Sequence, residues 1–231
     1  VCSSDLEHKI TGSVMPVLEM TLQSGERVFA QPGAMKWMDG NIGMETSTGG
    51  LLSGLKRSLA GEGLFLVWFW PQSGEGKIAF GHSYPGHIIP VEVSNTAVIC
   101  QKRAFLCAQE GVTLDLAFQR RLGTGFFGGE GFVMQKLGGR GMAFLEIDGE
   151  CLTKELAAGE IIKVDTGCVA AFEQSVQMDI HTVKGFKNIL FGGGGLFLTT
   201  LEGPGRVWLQ TMPLQNLARD LIPFLPKPNN H

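Results

Sequence analysis

The residues best suited to chemistry are few, and their spacing argues against a catalytic centre. The histidines are His8, His82, His87, His181 and His231. None forms the H-x-H or H-x-x-x-H spacing that sets two imidazoles on one face to hold a metal. His82 and His87 with Glu92 are the best metal candidates, but they lack the clustered His and Glu ligands of a metal site in a β-sandwich. No G-x-S-x-G elbow frames a serine nucleophile. Glu62, Glu130, Asp148 and Asp165 read as turn and surface carboxylates rather than an acid–base pair. The expectation is no catalytic residue, no cofactor and no metal.

A glycine run is the most conspicuous motif. Phe191-Gly192-Gly193-Gly194-Gly195-Leu196-Phe197-Leu198 has counterparts in Phe127-Gly128-Gly129-Glu130-Gly131-Phe132-Val133-Met134 and Leu59-Ala60-Gly61-Glu62-Gly63-Leu64-Phe65-Leu66. A phosphate loop needs its glycines between a strand and a helix N-terminus, where free N–H groups meet the anion. Here the glycines open a strand, and no G-K-[ST] follows. Gly61, Gly63, Gly129, Gly131, Gly193 and Gly195 are therefore read as structural, at bends of close backbone approach.

Basic residues precede each copy: Lys56 and Arg57, then Arg120 and Arg121, then Lys184 and Lys187. Apolar side chains surround them, namely Leu55 and Leu59, Phe126 and Phe127, and Phe186, Leu190 and Phe191. On one face, these six bases could contact an anionic membrane surface or an acidic partner. The plainer reading makes the apolar residues core and the bases solvated, with Glu62 and Glu130 pairing locally.

The elements that would position these residues are short strands. Glycine makes up 33 of 231 residues, twice the usual share of about 7% and without a collagen period. Met15 to Leu22 alternates, with Leu18, Met20 and Leu22 on one face. Arg27–Ala30 and Ala34–Met38 follow, the latter closed by Asp39-Gly40, a favoured tight-turn pair. Leu51 to Leu59 could form a short helix, weakened by Gly54. Leu64 to Trp70 is apolar on both faces and must be covered twice.

Gly63, Gly131 and Gly195 recur at intervals of 68 and 64 residues, which signals an internal repeat. Gln31–Met38, Gln101–Ala108 and Asp165–Phe172 align ahead of the three copies. His87–Glu92 is matched to Glu160–Asp165, with Gly25–Val28 as the counterpart in the first unit. G-x-G turns follow at Gly74-Glu75-Gly76, Gly139-Arg140-Gly141 and Gly203-Pro204-Gly205. The expected fold is all-β: three β-sandwich-like units, about 15–84, 85–150 and 151–212, in a pseudo-threefold arrangement. Leu214 to Leu225 has helical spacing and is expected to be a C-terminal helix.

The net charge is −3 and the pI about 6.0, which gives no sign of a nucleic-acid partner. Cys2, Cys100, Cys107, Cys151 and Cys168 show no C-x-x-C spacing and read as reduced thiols, as in the cytoplasm. No apolar run reaches the ~18 residues of a membrane span. Residues 1–6 read as the translated end of a sequencing-library adapter, so any targeting segment before residue 7 is undetermined.

Several of these stretches together resemble one family. They are Pro16-Val17-Leu18-Glu19, Gln31-Pro32-Gly33-Ala34-Met35, Gly54-Leu55-Lys56-Arg57, Gly128-Gly129-Glu130-Gly131, Val164-Asp165-Thr166-Gly167 and Gly203-Pro204-Gly205-Arg206-Val207-Trp208-Leu209-Gln210. The chain is similar, from about His8 to Ala218, to the altered-inheritance-of-mitochondria 24-type family. The resemblance implies a β-rich fold of three similar units, related to the tryptophan RNA-binding attenuation protein. It implies a mitochondrial role for fungal members, linked to inner-membrane organisation, and supplies no catalytic residues. The functional expectation is a non-enzymatic, cytoplasmic scaffold or interaction protein. It would be a homo-oligomer or bind a protein partner, with possible peripheral membrane contact. The alternative is a small-ligand binding module like the attenuation-protein fold.

Overall fold

The computed structural model describes residues 6–47, 65–120, 131–183, 196–221 and 224–225. In chain order the strands are β1 (Glu7–Thr11), β2 (Val17–Leu22), β3 (Val28–Ala30), β4 (Met35–Met38), β5 (Ile42–Ser47), β6 (Leu66–Pro71) and β7 (Gly76–Gly81). Next come β8 (Gly86–Glu92), β9 (Val98–Gln101), β10 (Phe105–Gln109), β11 (Val112–Arg120), β12 (Phe132–Gly139) and β13 (Met142–Asp148). The last are β14 (Cys151–Leu156), β15 (Ile161–Asp165), β16 (Val169–Glu173), β17 (Gln177–Val183), β18 (Leu196–Glu202) and β19 (Gly205–Gln210), followed by helix α1 (Leu214–Leu221). The fold is all-β, as the short glycine-punctuated runs require.

The strands form four antiparallel sheets: β1-β2-β7-β4, β5-β6-β3-β10-β13-β8, β11-β12-β9-β16-β19-β14 and β15-β18-β17. Three cores lie between them in layers. Leu18, Met20, Leu22, Ile78 and Phe80 of the first sheet meet Val28, Phe69, Cys107 and Phe144 of the second. Phe29, Trp68, Phe105 and Leu145 on the other face of the second sheet meet Cys100, Leu114, Leu137 and Trp208 of the third. Phe132, Met134, Val207 and Leu209 of the third meet Ile180, Phe197 and Leu201 of the fourth. The two inner sheets are thus covered on both faces. This explains why β6 is apolar throughout: Leu66 and Trp68 enter one core and Phe69 another. By contrast, β2 alternates because its sheet is outermost, with Leu18, Met20 and Leu22 inward and Val17, Glu19 and Thr21 half-buried.

Asp39-Gly40 forms the expected turn, with Ile42 N–H donating to the Asp39 carbonyl at 3.0 Å. β4 and β5 flank it and belong to different sheets, so the turn carries the chain between layers. One sequence reading needs correction: His87–Glu92 is not the counterpart of Glu160–Asp165. The former lies in β8, which pairs with β13, and the latter in β15, which pairs with β18. Short β-branched runs after a glycine look alike whichever strand they form. The segments Gln31–Met38, Gln101–Ala108 and Asp165–Phe172 do share a local form. Their ladders carry a register shift between Met35 and Trp37, Phe105 and Cys107, and Val169 and Ala171, respectively. Leu6 is 4% exposed and belongs to the first core.

Candidate functional site

The second and third sheets are each closed by a seam between strands far apart in the chain. In the first seam Ala30 lies opposite Cys107, Phe29 opposite Ala108 and Val28 opposite Gln109. Gln31 N–H donates to the Leu106 carbonyl and Glu110 N–H to the Arg27 carbonyl, both at 3.1 Å. In the second seam Cys100 lies opposite Ala171, Ile99 opposite Phe172 and Val98 opposite Glu173, and Gln174 N–H donates to the Ala97 carbonyl at 2.9 Å. The seam thiols are inert. Burial pushes Cys100 up to about 12. It also raises Cys107 well above the ordinary thiol value, helped by the charge of Glu146, so both stay protonated.

A buried polar cluster sits at the end of the first seam. Gln31 Nε2 donates to Glu146 Oε1 at 2.6 Å. Glu146 Oε2 lies 3.6 Å from His82 Nε2, and Asp148 Oδ1 lies 3.1 Å from the same nitrogen. His82 Nδ1 lies 2.7 Å from the Tyr84 carbonyl and 2.8 Å from the Tyr84 N–H, so Nδ1 has both an acceptor and a donor beside it, while Nε2, facing two carboxylates, carries a proton. Burial pulls the His82 pKa down, but the Asp148 hydrogen bond and the Glu146 charge outweigh it and the net shift is upward. Burial pushes Glu146 up to about 7, against the pull of His82 and Gln31. The cluster can therefore hold a proton near neutral pH, and its polar atoms are turned onto protein groups.

The same cluster reaches the C-terminal segment. Asp148 Oδ2 accepts from Leu214 N–H at 3.0 Å, at the start of α1, and Asp148 N–H donates to Gln210 Oε1 at 3.2 Å. At the second seam the corresponding network is neutral. Gln101 Nε2 and Gln210 Nε2 both donate to the Gly167 carbonyl, at 3.2 and 2.8 Å. Thr199 Oγ1 donates to Thr166 Oγ1 at 3.0 Å, which in turn donates to the Phe197 carbonyl at 2.9 Å.

The sequence reading missed this cluster. Glu146 lies 64 residues from His82 in the chain, and no spacing rule links them. The available signal was a carboxylate inside the apolar run Met142–Ile147. The metal candidates are not assembled. His87 Nδ1 lies 2.9 Å from the Gly149 carbonyl, Glu92 accepts from Ser94 N–H at 2.9 Å, and His82 faces Glu146 and Asp148 instead. Among the described residues no group of three or more His, Cys, Asp or Glu side chains could hold a metal ion. Of the six basic residues, Arg120 alone is described. It ends β11, and its Nη1 donates to the Ile180 carbonyl at 2.9 Å, tying the third sheet to the fourth. Lys56, Arg57, Arg121, Lys184 and Lys187 lie outside the described residues, as do Gly61, Gly63, Gly129, Gly193, Gly195 and the expected helix at Leu51–Leu59. Gly131 precedes β12 with φ 78°. Among the described residues no helix is long and apolar enough to cross a membrane.

The fold defines an all-β chain of several antiparallel sheets with one short C-terminal helix. The family described as mitochondrial biogenesis AIM24 matches residues 8–212, and the chain belongs to it. An uncharacterised protein of Streptococcus pyogenes serotype M6 is 28% identical over 226 residues, covering 93% of this chain and 89% of its own length. The X-ray crystal structure of protein SPYM3_0169 from Streptococcus pyogenes shares the fold. Its TM-score is 0.77 at 24% identity, covering 96% of this chain and 100% of the crystallised one.

Proposed function

We propose that this protein is a non-enzymatic scaffold or interaction protein built from three like β units. In this reading β2–β7 form the first unit, β8–β13 the second and β14–β19 the third, and each unit contributes three strands to each of two sheets. The observation that carries it is the seam. β3–β10 and β9–β16 join successive units in the same way, in the same register relative to the same bulge. A fold that joins like units edge to edge twice is an assembly device by construction.

Exposed apolar side chains on outer strands support an association role: Trp37 at 40%, Leu152 at 52% and Ile161 at 53% exposure. The test is native mass spectrometry of the purified chain at micromolar concentration. Multiples of the chain mass without a bound small molecule are the expected result. A monomer carrying a retained small molecule would replace this reading with a ligand-binding module, and a bare monomer would overturn it.

A further inference from the structure

The two seams leave one pair of edges unmatched. Within each proposed unit, one three-strand set ends on β4, β10 or β16 and the other on β3, β9 or β15. β3 takes β10 and β9 takes β16, but among the described residues β15 and β4 each end their sheets without a further strand. Burial follows pairing. The paired strands β10 and β16 are buried along their length but for a last half-buried residue, whereas β4 reads half-buried, exposed, exposed, half-buried. β3 is buried throughout, whereas β15 alternates between exposed and half-buried.

We infer that β15 of one copy pairs with β4 of a second copy, head to tail. This inference rests on the three-unit reading above and names the partner and the edge it uses. The join would create the sheet β17-β18-β15-β4-β7-β2-β1, whose first six strands repeat the strand order of the second and third sheets. The two formed seams set its register. Cys107 faces Ala30 and Ala171 faces Cys100, which places Trp37 opposite Val164 and Met38 opposite Lys163. One step further, where Gln31 meets Leu106, the new join sets Asp165 opposite Lys36. Unlike charges directly across an antiparallel pair favour that register. The bulge in β4 is no obstacle, because β10 and β16 carry the same bulge and are paired. Exposed edges without a partner are a liability that folded chains manage by covering them, and Trp37 and Ile161 would be covered here. The interface is heterologous, so repeated joins give a closed ring or an open filament.

Cross-linking tests this directly. Trp37→Cys and Val164→Cys are made as separate variants, purified and mixed under mild oxidation. Neither can form the 37–164 disulfide within one chain. The expected result is a disulfide-linked species of twice the chain mass in the mixture, above the background of each variant alone and of wild type. Absence of that species overturns the proposal. So does a double variant that cross-links only within its own chain. If native mass spectrometry shows oligomers while the mixture fails to cross-link, this edge pairing falls and the scaffold reading stands. Lys163→Pro gives a second arm. By the alternation seen at Arg27 and Gln31, the Lys163 N–H faces the free edge, so proline there blocks strand addition while sparing the β18 ladder. The variant should be monomeric with an unchanged far-ultraviolet circular dichroism spectrum, and oligomers that persist would overturn the proposal.

Discussion

Replacing Glu146 with glutamine tests the chemistry of the first seam. Glu146 ionises near its ordinary 4.5 in the unfolded chain and near 7 in the folded one, chiefly because it is buried. As pH rises between these values the unfolded chain gives up the proton first, so folding loses stability. The cost builds from about pH 4.5 and is complete somewhat above 7. At 1.36 kcal/mol for each tenfold change, the full interval is worth about 3 kcal/mol. His82 acts in the same direction. Its folded pKa lies above 6.5, so its contribution is full below 6.5 and is lost as pH rises through the folded value.

Glutamine can still accept from Gln31, and a glutamine, Gln210, already serves the second seam. The Glu146→Gln variant should therefore exceed wild type by about 1 kcal/mol at pH 5 and about 3 kcal/mol at pH 8. In a chain of this size the latter is a rise of about 6–12 °C in melting temperature. Urea unfolding of both proteins at the two pH values measures the difference. A variant no more stable than wild type at pH 8, or offset equally at both pH values, would refute the reasoning. The first result would mean that the His82–Glu146 ion pair repays its desolvation, and the second that Glu146 gives up its proton alike in the folded and unfolded chain.

Other substitutions probe the layers and their ties. Phe29 is 1% exposed and lies between Trp68 and Phe105, at centroid distances of 5.0 and 5.6 Å. Phe29→Ala should cost about 3–5 kcal/mol in denaturant unfolding, through the cavity left between the second and third sheets. Gly139 has φ 86°, and a Cβ there would fall 2.4 Å from the Gly111 carbonyl oxygen. Gly139→Ala should destabilise by more than about 1 kcal/mol in the same assay. Asp148→Ala removes the acceptor for Leu214 N–H, a cap worth about 1 kcal/mol. Amide exchange should accelerate across Leu214–Leu221 while the strand ladders keep their protection.

Local pattern revealed the strands but not the layers. Leu18, Met20 and Leu22 alternate with polar neighbours because one face of β2 meets a core and the other does not. The apolar run in β6 correctly implied coverage on both sides. Which strands pair was another matter. A tight-turn pair such as Asp39-Gly40 marks where the chain turns but not which sheet the next strand joins. Here the segment after β4 enters the next sheet. The same crossing recurs from β10 to β11 and from β16 to β17. Seam partners such as Ala30 and Cys107 are small or modest apolar residues, ordinary anywhere in a core, and carry no mark of each other.

The polar cluster was hidden for a related reason. His82, Glu146 and Asp148 meet because the ends of β7 and β13 are brought together when the first seam forms, and Gln31 reaches Glu146 from the end of β3. Their juxtaposition is a product of the join between β3 and β10, so no local motif could announce it. The same logic separates the two seams chemically. Glu146, near the end of β13, accepts from Gln31 just beyond β3, whereas Gln210, at the end of β19, donates to the Gly167 carbonyl, which also accepts from Gln101 at the end of β9. One seam uses a carboxylate that needs a proton or an imidazolium beside it, and the other an amide that needs neither. Protonation near neutral pH should therefore tune the β3–β10 join while leaving the β9–β16 join indifferent to pH.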